Sequence, residues 1–570
     1  MPRLPDKVPR TDRHHLSAPL LVAAIALVAS LAGIENDFAQ DDIPLIQNNA
    51  LFHDLGNVKT LLTSPYWPSP FSPDLYRPFT SIWLTVEYVI GGGTPALFRI
   101  TSYALYALLA VGVFMLAARL VPRNIAIGFA AIFAAHPVHV EAVAPAVGQS
   151  ELIVALLAVA MTIRYIDIRR TRALCVSDWT MLGAMYLAAS LFKEHGLVLP
   201  ALLVCVEFLL IPESNANRLR SLAGGIAGFT VIAITVLLAR HAVLGDVAGT
   251  FTAEALVGLG VGGRALTMLQ VVPQWMRLLL WPAHLQADYS PQEFVAATTF
   301  GAVQAYGTLL LILALAAFWL SRRRLPVVAF GIGWTAITLF PVSNVLIPTG
   351  ILFAERTLLL PSVGVCIALA GVVAALWPRF VSSRPAVGRD LAFACAAAVI
   401  VGAVRSGERQ RVWRNEAFLS VRSVQDAPRS FRTRRAYGNV LFDLDRPEMA
   451  IEAYRQAIAF SPHGLQWRMR NDLAQHFRER GERAQEVEQL TASLAQEPRQ
   501  EDIRGHLISA YLDLGRYADA ASAVDSAIAH GAPRAVFDRA RAVADSAARV
   551  NAPPGSIKVG ITTGPSRAVP

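Results

Sequence analysis

The sequence predicts an all-α protein: a polytopic membrane domain followed by an array of short helical repeats. Three observations carry that reading. The 570 residues are 54% hydrophobic and only 16% charged, with a mean hydropathy of +0.43, too apolar for a soluble chain of this length. Apolar runs of spanning length recur up to residue 404. Beyond residue 405 the text turns charged and helical, with prolines at a regular interval.

Residues 1–16 hold Arg3, Lys7, Arg10 and Arg13 and read as a cytoplasmic amino terminus. The run 17–34 follows. No small-residue cleavage site of the A-x-A kind precedes the acids after it, so it reads as a retained helix rather than a signal peptide. Residues 17–34, 96–118, 221–239, 302–320, 326–347 and 357–377 approach or exceed the roughly 20 apolar residues that a span needs. Shorter candidates lie at 124–135, 150–166, 179–192, 196–212 and 391–404, for about eleven spans in a membrane domain of residues 17–404. The segment RALTMLQVVPQWMRLLLW (264–281) carries Arg264, Arg277 and a central proline, and reads as interfacial or re-entrant.

The net charge of +9 belongs to this topology and not to nucleic acid. Arginines cluster in alternate short loops: Arg119 and Arg123, Arg164 to Arg172, Arg218 and Arg220, Arg322 to Arg324, Arg379 to Arg389. With those loops cytoplasmic, the amino terminus is inside and the carboxyl terminus outside an inner (cytoplasmic) membrane, so the repeats lie on the extracytoplasmic, periplasmic side. Cys175, Cys205, Cys366 and Cys395 lie in or beside spans without metal-like spacing, and imply no disulfide framework.

Residues 405–427, beginning RSGERQRVWRNEAF, read as a linker helix. From 428 to 549, Pro428, Pro462, Pro498 and Pro533 follow one another at intervals of 34, 36 and 35 residues. Each closes a helix pair, and Asp445, Gly481 and Gly515 recur where the first helix turns into the second. A period near 34 is the tetratricopeptide pattern, a superhelical solenoid with a concave binding face; a generic helical bundle is the alternative. The tail 550–570, rich in Pro, Gly, Ser and Thr, is expected to be disordered.

The unusual polar residues collect in the loops on the repeat side. Loop one (35–95) holds FAQDDIPLIQNN, with Asp41 and Asp42, and YRPFTSIWLTVEY, with Arg77. HPVHVEAVAPAVGQ holds His136, His139 and Glu141; KEHG holds Lys193, Glu194 and His195; WPAHLQADYSPQ holds His284 and Asp288; IPTGILFAERTLLLPS holds Glu355 and Arg356. Each has a plain structural alternative. Asp41 or Asp42 could cap a helix beginning at Ile43 or Pro44. His136 and His139 could be interfacial structural histidines. Lys193 could pair with Glu194, and Glu355 with Arg356. Acids, histidines and cations gathered on one face at membrane depth nonetheless point to function. Transfer of a sugar from a lipid phosphate suits such a set. A carboxylate takes or orients the proton of an acceptor hydroxyl, and Arg or Lys neutralises the departing phosphate. Asp41, Asp42 and, less directly, Glu141 are the catalytic candidates. Arg77, Lys193 and Arg356 are those for the phosphate, with His136, His139, Glu194, His195, Asp288 and Glu355 as supporting polar groups. Neither a cofactor nor a metal-ligand set is read from the sequence.

The order of FAQDDIPLIQNN, YRPFTSIWLTVEY, HPVHVEAVAPAVGQSELIVALL, KEHGLVLP, MRLLLWPAHLQADYS, FPVSNVLIPTGILFAERTLLLPSVG and the repeats resembles the transmembrane-and-tetratricopeptide O-mannosyltransferase family and its bacterial relatives, within the GT-C superfamily of glycosyltransferases. Where that family often has a histidine and an asparagine after loop one, this chain has Phe98-Arg99 and Ser102. The resemblance implies an inverting transferase that uses a polyprenyl-phosphate sugar, mannose by the family's name, acts outside the cytoplasmic membrane on a protein Ser/Thr hydroxyl held by the repeats, and has its catalytic locus at the acidic pair. Two alternatives stand beside it: the same chemistry on an envelope glycan or lipid, and a non-catalytic membrane scaffold.

Overall fold

A computed structural model describes residues 17–549 and 553–554, apart from 70, 72, 248, 250, 381–384 and 463. The basic amino terminus and nearly all of the predicted disordered tail lie outside the described residues. The helices run in order α1 (Ser17–Ser30), α2 (Val58–Thr63), α3 (Pro78–Gly91), α4 (Pro95–Ala117), α5 (Arg123–Ala134), α6 (Val140–Val143), α7 (Gln149–Arg169), α8 (Val176–Phe192), α9 (Leu199–Leu209), α10 (Asn215–Leu244), α11 (Val261–Leu269), α12 (Val272–Leu280), α13 (Ala302–Arg324), α14 (Pro326–Leu339), α15 (Leu359–Phe380) and α16 (Pro385–Val412).

Among the described residues, α4, α7, α10, α13, α15 and α16 are long and apolar enough to cross a membrane. This is a multi-pass membrane protein. Of the about eleven expected spans, the others correspond to helices of 11 to 17 residues, namely α1, α5, α8, α9 and α14. The segment after α5 shows one cause of the shortening. Pro137 disfavours helix at the residue before it, and the chain bends by 48° between Arg123–Ala134 and Pro137–Val143. The segment 264–281 forms two nine-residue helices, α11 and α12, each about 14 Å long; neither reaches halfway across a hydrocarbon core of about 30 Å.

Helix α7 is the centre of the bundle, with most of its surface covered, whereas α13 and α16 show apolar sides outward. Leu309, Leu313, Leu320, Phe393 and Ile400 are all exposed, the surface a lipid solvent would meet. Glycine allows a close helix approach. A Cβ on Gly331 of α14 would lie 2.5 Å from the carbonyl oxygen of Gly364 in α15, and one on Gly364 would lie 2.5 Å from that of Gly331. Backbone meets backbone there, as small residues allow in membranes.

Helix α16 runs unbroken to Val412, past residue 404. Eight short helices follow: α17 (Glu416–Asp426), α18 (Phe431–Asp443), α19 (Pro447–Phe460), α20 (Gln466–Glu479), α21 (Arg483–Gln496), α22 (Glu501–Asp513), α23 (Tyr517–Ala529) and α24 (Arg534–Arg549). α18 packs on α19, α20 on α21 and α22 on α23. Asp445, Gly481 and Gly515 turn the chain within each pair at φ of 52°, 75° and 70°, the left-handed conformation that ends helices without a Cβ penalty at glycine. Small residues fill the contacts: Ala457 and Ala527 are fully buried, and a Cβ on Gly438 would strike the Tyr454 ring.

Candidate active site

The two acids of loop one have opposite surroundings. Gln40, at φ 53°, turns the chain so that Asp42 points inward, where it is fully buried. Asp42 makes no cap on the helical turn Ile43–Gln47 that it precedes. Its oxygens instead accept the amides of Ala146 and Val147 at 2.9 and 3.0 Å, and Arg99 Nη2 at 3.3 Å. Arg99, itself buried, also donates to the carbonyls of Asn36, Asp37 and Ala144. Burial pushes the Asp42 carboxyl above the usual carboxylate range, against the pull of Arg99 and the two amides. These three bonds hold loop one to the turn before α7 and to α4.

Asp41 keeps 26% of its side chain exposed and pairs with Arg356 Nη1 at 3.2 Å. Arg356 is fixed from behind by Glu141, which accepts its backbone amide at 3.0 Å and lies 3.7 Å from its Nε. Two further charge pairs border this one. Lys193 donates to Glu151 at 2.5 Å, with His195 3.4 Å from the other oxygen of that carboxylate. Arg77 donates Nε and Nη2 to Glu194 Oε2 at 3.0 and 2.8 Å, and Arg240 donates to Oε1 at 3.1 Å. The charges of Arg77 and Arg356 both reach Lys193; with burial as the larger cause, they bring its ammonium down to about 8 despite Glu151. Burial raises Glu194, but Arg77 and Arg240 prevail and hold it at about 2.

Of the sequence candidates, the structure brings Asp41, Glu141, Arg356, Arg77, Lys193, Glu194 and His195 into one charged cluster. The alternatives in which Lys193 pairs with Glu194 and Glu355 with Arg356 do not hold, because successive side chains at each position take partners from different elements. Glu355 is buried and faces the other way, accepting Tyr289 Oη at 2.8 Å and the Gln286 amide, with Arg409 4.0 Å away. Asp288 binds Ser290 and Ser430, bolting the loop before α13 to the first turn of α18. His139 is buried between Tyr106 Oη and Ser362 Oγ, each at 2.9 Å, and His136 sits on the Val138 amide at 3.4 Å. Both histidines are structural in their contacts.

Three participants escaped the sequence reading. Arg240, inside α10, grips Glu194 and also the carbonyls of Asp74 and Val247. Tyr66 is buried with Arg77 over its ring, 5.3 Å from the centroid. Glu416 of α17 accepts the Gln40 amide at 2.6 Å. Two of these come from hydrophobic or linker text with no motif around them, and only the fold brings them to loop one.

No protein-family profile matches the chain. It is similar to protein O-mannosyl-transferase TMTC3 of Mus musculus, 24% identical over 461 residues that make up 75% of this chain and 49% of that protein. Protein O-mannosyl-transferase F38B6.6 of Caenorhabditis elegans is 24% identical over 458 residues, 78% of this chain and 62% of that protein. For protein O-mannosyl-transferase TMTC4 of Mus musculus the figures are 24% over 508 residues, 77% and 66%. The chain thus spans between about half and two-thirds of the length of these curated relatives. Among solved structures, the oligosaccharyltransferase of Archaeoglobus fulgidus tethered to an acceptor peptide aligns at a TM-score of 0.41 and 14% identity, over 70% of this chain and 55% of that one. Over about three-quarters of its length the chain is thus similar in sequence to protein O-mannosyl-transferases.

Proposed function

We propose that the protein transfers a single sugar from a polyprenyl-phosphate donor to a Ser or Thr hydroxyl of a protein, on the extracytoplasmic side of the membrane, with inversion at the anomeric carbon. The observation that carries this reading is the Asp41–Arg356 pair: a partly open carboxylate 3.2 Å from a guanidinium that is anchored through its own backbone amide by Glu141. In the reaction the acceptor oxygen attacks the anomeric carbon, its proton passes to Asp41, and the bond from that carbon to the phosphate oxygen breaks. The polyprenyl phosphate leaves with the electron pair. Arg356 and Lys193 neutralise the leaving phosphate, Arg356 as a planar fork and Lys193 as a point charge. Arg77 holds Glu194 through Nε and Nη2, lies over the Tyr66 ring and serves as a positioning residue for the end of loop one. Asp42 holds the loop in place.

The shorter helices α1, α5, α8, α9 and α14 cross the membrane together with the six long ones, and α17–α24 form the tetratricopeptide array that receives the acceptor. The kinship with O-mannosyl-transferases supports mannose as the sugar and protein as the acceptor. The test uses the purified full-length chain in nanodiscs with radiolabelled polyprenyl-phosphate mannose and a Ser/Thr-rich peptide, the product read by mass spectrometry. Labelled peptide with the anomeric configuration inverted is expected; hydrolysis or inertness with wild type, under conditions in which the donor demonstrably binds, overturns the reading. Alkaline-phosphatase fusions after Glu416 should be active and fusions after Arg323 inactive, and the reverse pattern removes the extracytoplasmic assignment.

A further inference from the structure

A cavity of about 390 Å³ lies between the loop before α11 and the start of α20, within the range of pockets that hold small ligands (about 300–1,000 Å³). Its walls come from both parts of the molecule. Phe251, Leu256, Leu259 and Arg264 belong to the membrane part, and Leu465 and Arg468 to the helices beyond it. The charges around it do not balance. Glu254, on the wall, is taken by Arg432 at 2.6 Å. Asp472, beside it in α20, is taken by Arg435 at 2.5 Å. Arg264 donates to main-chain carbonyls, those of Val345, Leu346 and Leu259 at 3.2, 3.1 and 3.5 Å. Arg468 rests against the Trp467 ring at 5.3 Å, and its buried Nε has no hydrogen-bond partner. Among the described residues, neither Arg264 nor Arg468 has a carboxylate at ion-pair distance. Two guanidinium groups without a carboxylate partner, set beside Leu256, Leu259 and Leu465 in this cavity, favour an anionic occupant.

We infer that this cleft is an acceptor-binding subsite that takes an acidic side chain of an extended polypeptide, its carboxylate on Arg468 and its aliphatic stem on Leu465 and Leu256. The identity of the occupant as acceptor rests on the proposed transferase reading; the preference for a carboxylate rests on the cleft alone. A peptide is favoured over a lipid phosphate because one wall is formed by α20 within the paired helices, and Arg468, one of the two guanidinium groups without a carboxylate partner, sits on it. Guanidinium–carboxylate geometry is the natural pairing for such a residue.

The experiment measures binding of two fluorescein-labelled Ser/Thr/Ala peptides, one carrying Glu and the other Gln at the same positions, to the full-length protein in nanodiscs, with sugar transfer to each followed on the same samples. The Glu peptide should bind about tenfold more tightly, the worth of one partly exposed charge-assisted hydrogen bond. Arg468→Met should erase that difference, Arg468→Lys should keep part of it, and raising the salt should shrink it in wild type only. Equal binding of the two peptides by wild type overturns the inference. So does an undiminished difference in R468M, or loss of the Glu peptide to phosphatidylglycerol vesicles but not to unlabelled Glu peptide, which would make the cleft a lipid site. Acid-selective binding without transfer would sink the transferase reading and leave the cleft standing; transfer without acid preference would do the opposite.

Discussion

Replacing Asp42 by Asn should unfold the protein before it silences it. The carboxylate is fully buried and satisfies two amides and one guanidinium. Asn keeps a single acceptor oxygen and sets an NH₂ against the second amide, leaving a buried donor unpaired at a cost of about 1–3 kcal/mol. Among the described residues it also removes the one carboxylate at ion-pair distance from Arg99, which is as buried as its partner. Breaking a buried pair costs about 3–5 kcal/mol, here nearer the lower figure because three carbonyls still hold Arg99. The sum of about 4–6 kcal/mol is a large share of a typical total stability of about 5–15 kcal/mol. Asp41→Asn is the contrast. Its pair is partly exposed and should cost under about 1 kcal/mol, while loss of a general base should cost about 10²–10⁴-fold in turnover. Thermal unfolding in detergent and single-turnover transfer on both variants decide the matter. An Asp42→Asn protein that melts with wild type yet is dead, beside an active Asp41→Asn protein, would refute the division of roles.

Arg356→Met should lower kcat/KM by about 10²-fold or more, as loss of a charge-stabilising donor does, and Arg356→Lys should fall between it and wild type because the fork is lost while the charge stays; equal kinetics in all three would place phosphate recognition elsewhere. Lys193 sits at about 8, so raising pH through that value discharges its ammonium: the donor KM should climb above pH 8 in wild type, and a Lys193→Met protein should show no such step. Gly331→Ala should lower the melting temperature by an amount matching the roughly 1–3 kcal/mol of an overpacked contact, since its Cβ would meet the α15 backbone; an unchanged melt would mean that α14 and α15 part easily.

Much of this architecture was legible from local text. The proline interval and the Asp445, Gly481 and Gly515 turns are visible because a left-handed turn residue leaves a compositional mark. The break in 264–281 was legible from a proline and two arginines inside an apolar run. The roles of Asp41 and Asp42 were not. Adjacent acids look alike in a sequence, and what separates them is the positive φ at Gln40, which a non-glycine residue holds only under tertiary constraint. Glu355 and Arg356 teach the same lesson. Arg240 was hidden for another reason: inside α10 it reads as a lone charge near a span end, and its partners Glu194 and Asp74 lie 46 and 166 residues away along the chain.

The hydrogen bond from the Gln40 amide to Glu416 joins positions 376 residues apart, and Asn36 Nδ2 reaches the Gln410 carbonyl across 374. Loop one is therefore made well before the segments that pin its backbone, which follow it by 374 and 376 residues. A polypeptide still being made therefore carries its acids without the scaffold that aims them, and ribosome-bound chains shorter than about residue 416 should be inert. Loop one is thus ordered only once helices that follow it by more than three hundred residues have been made and packed against it.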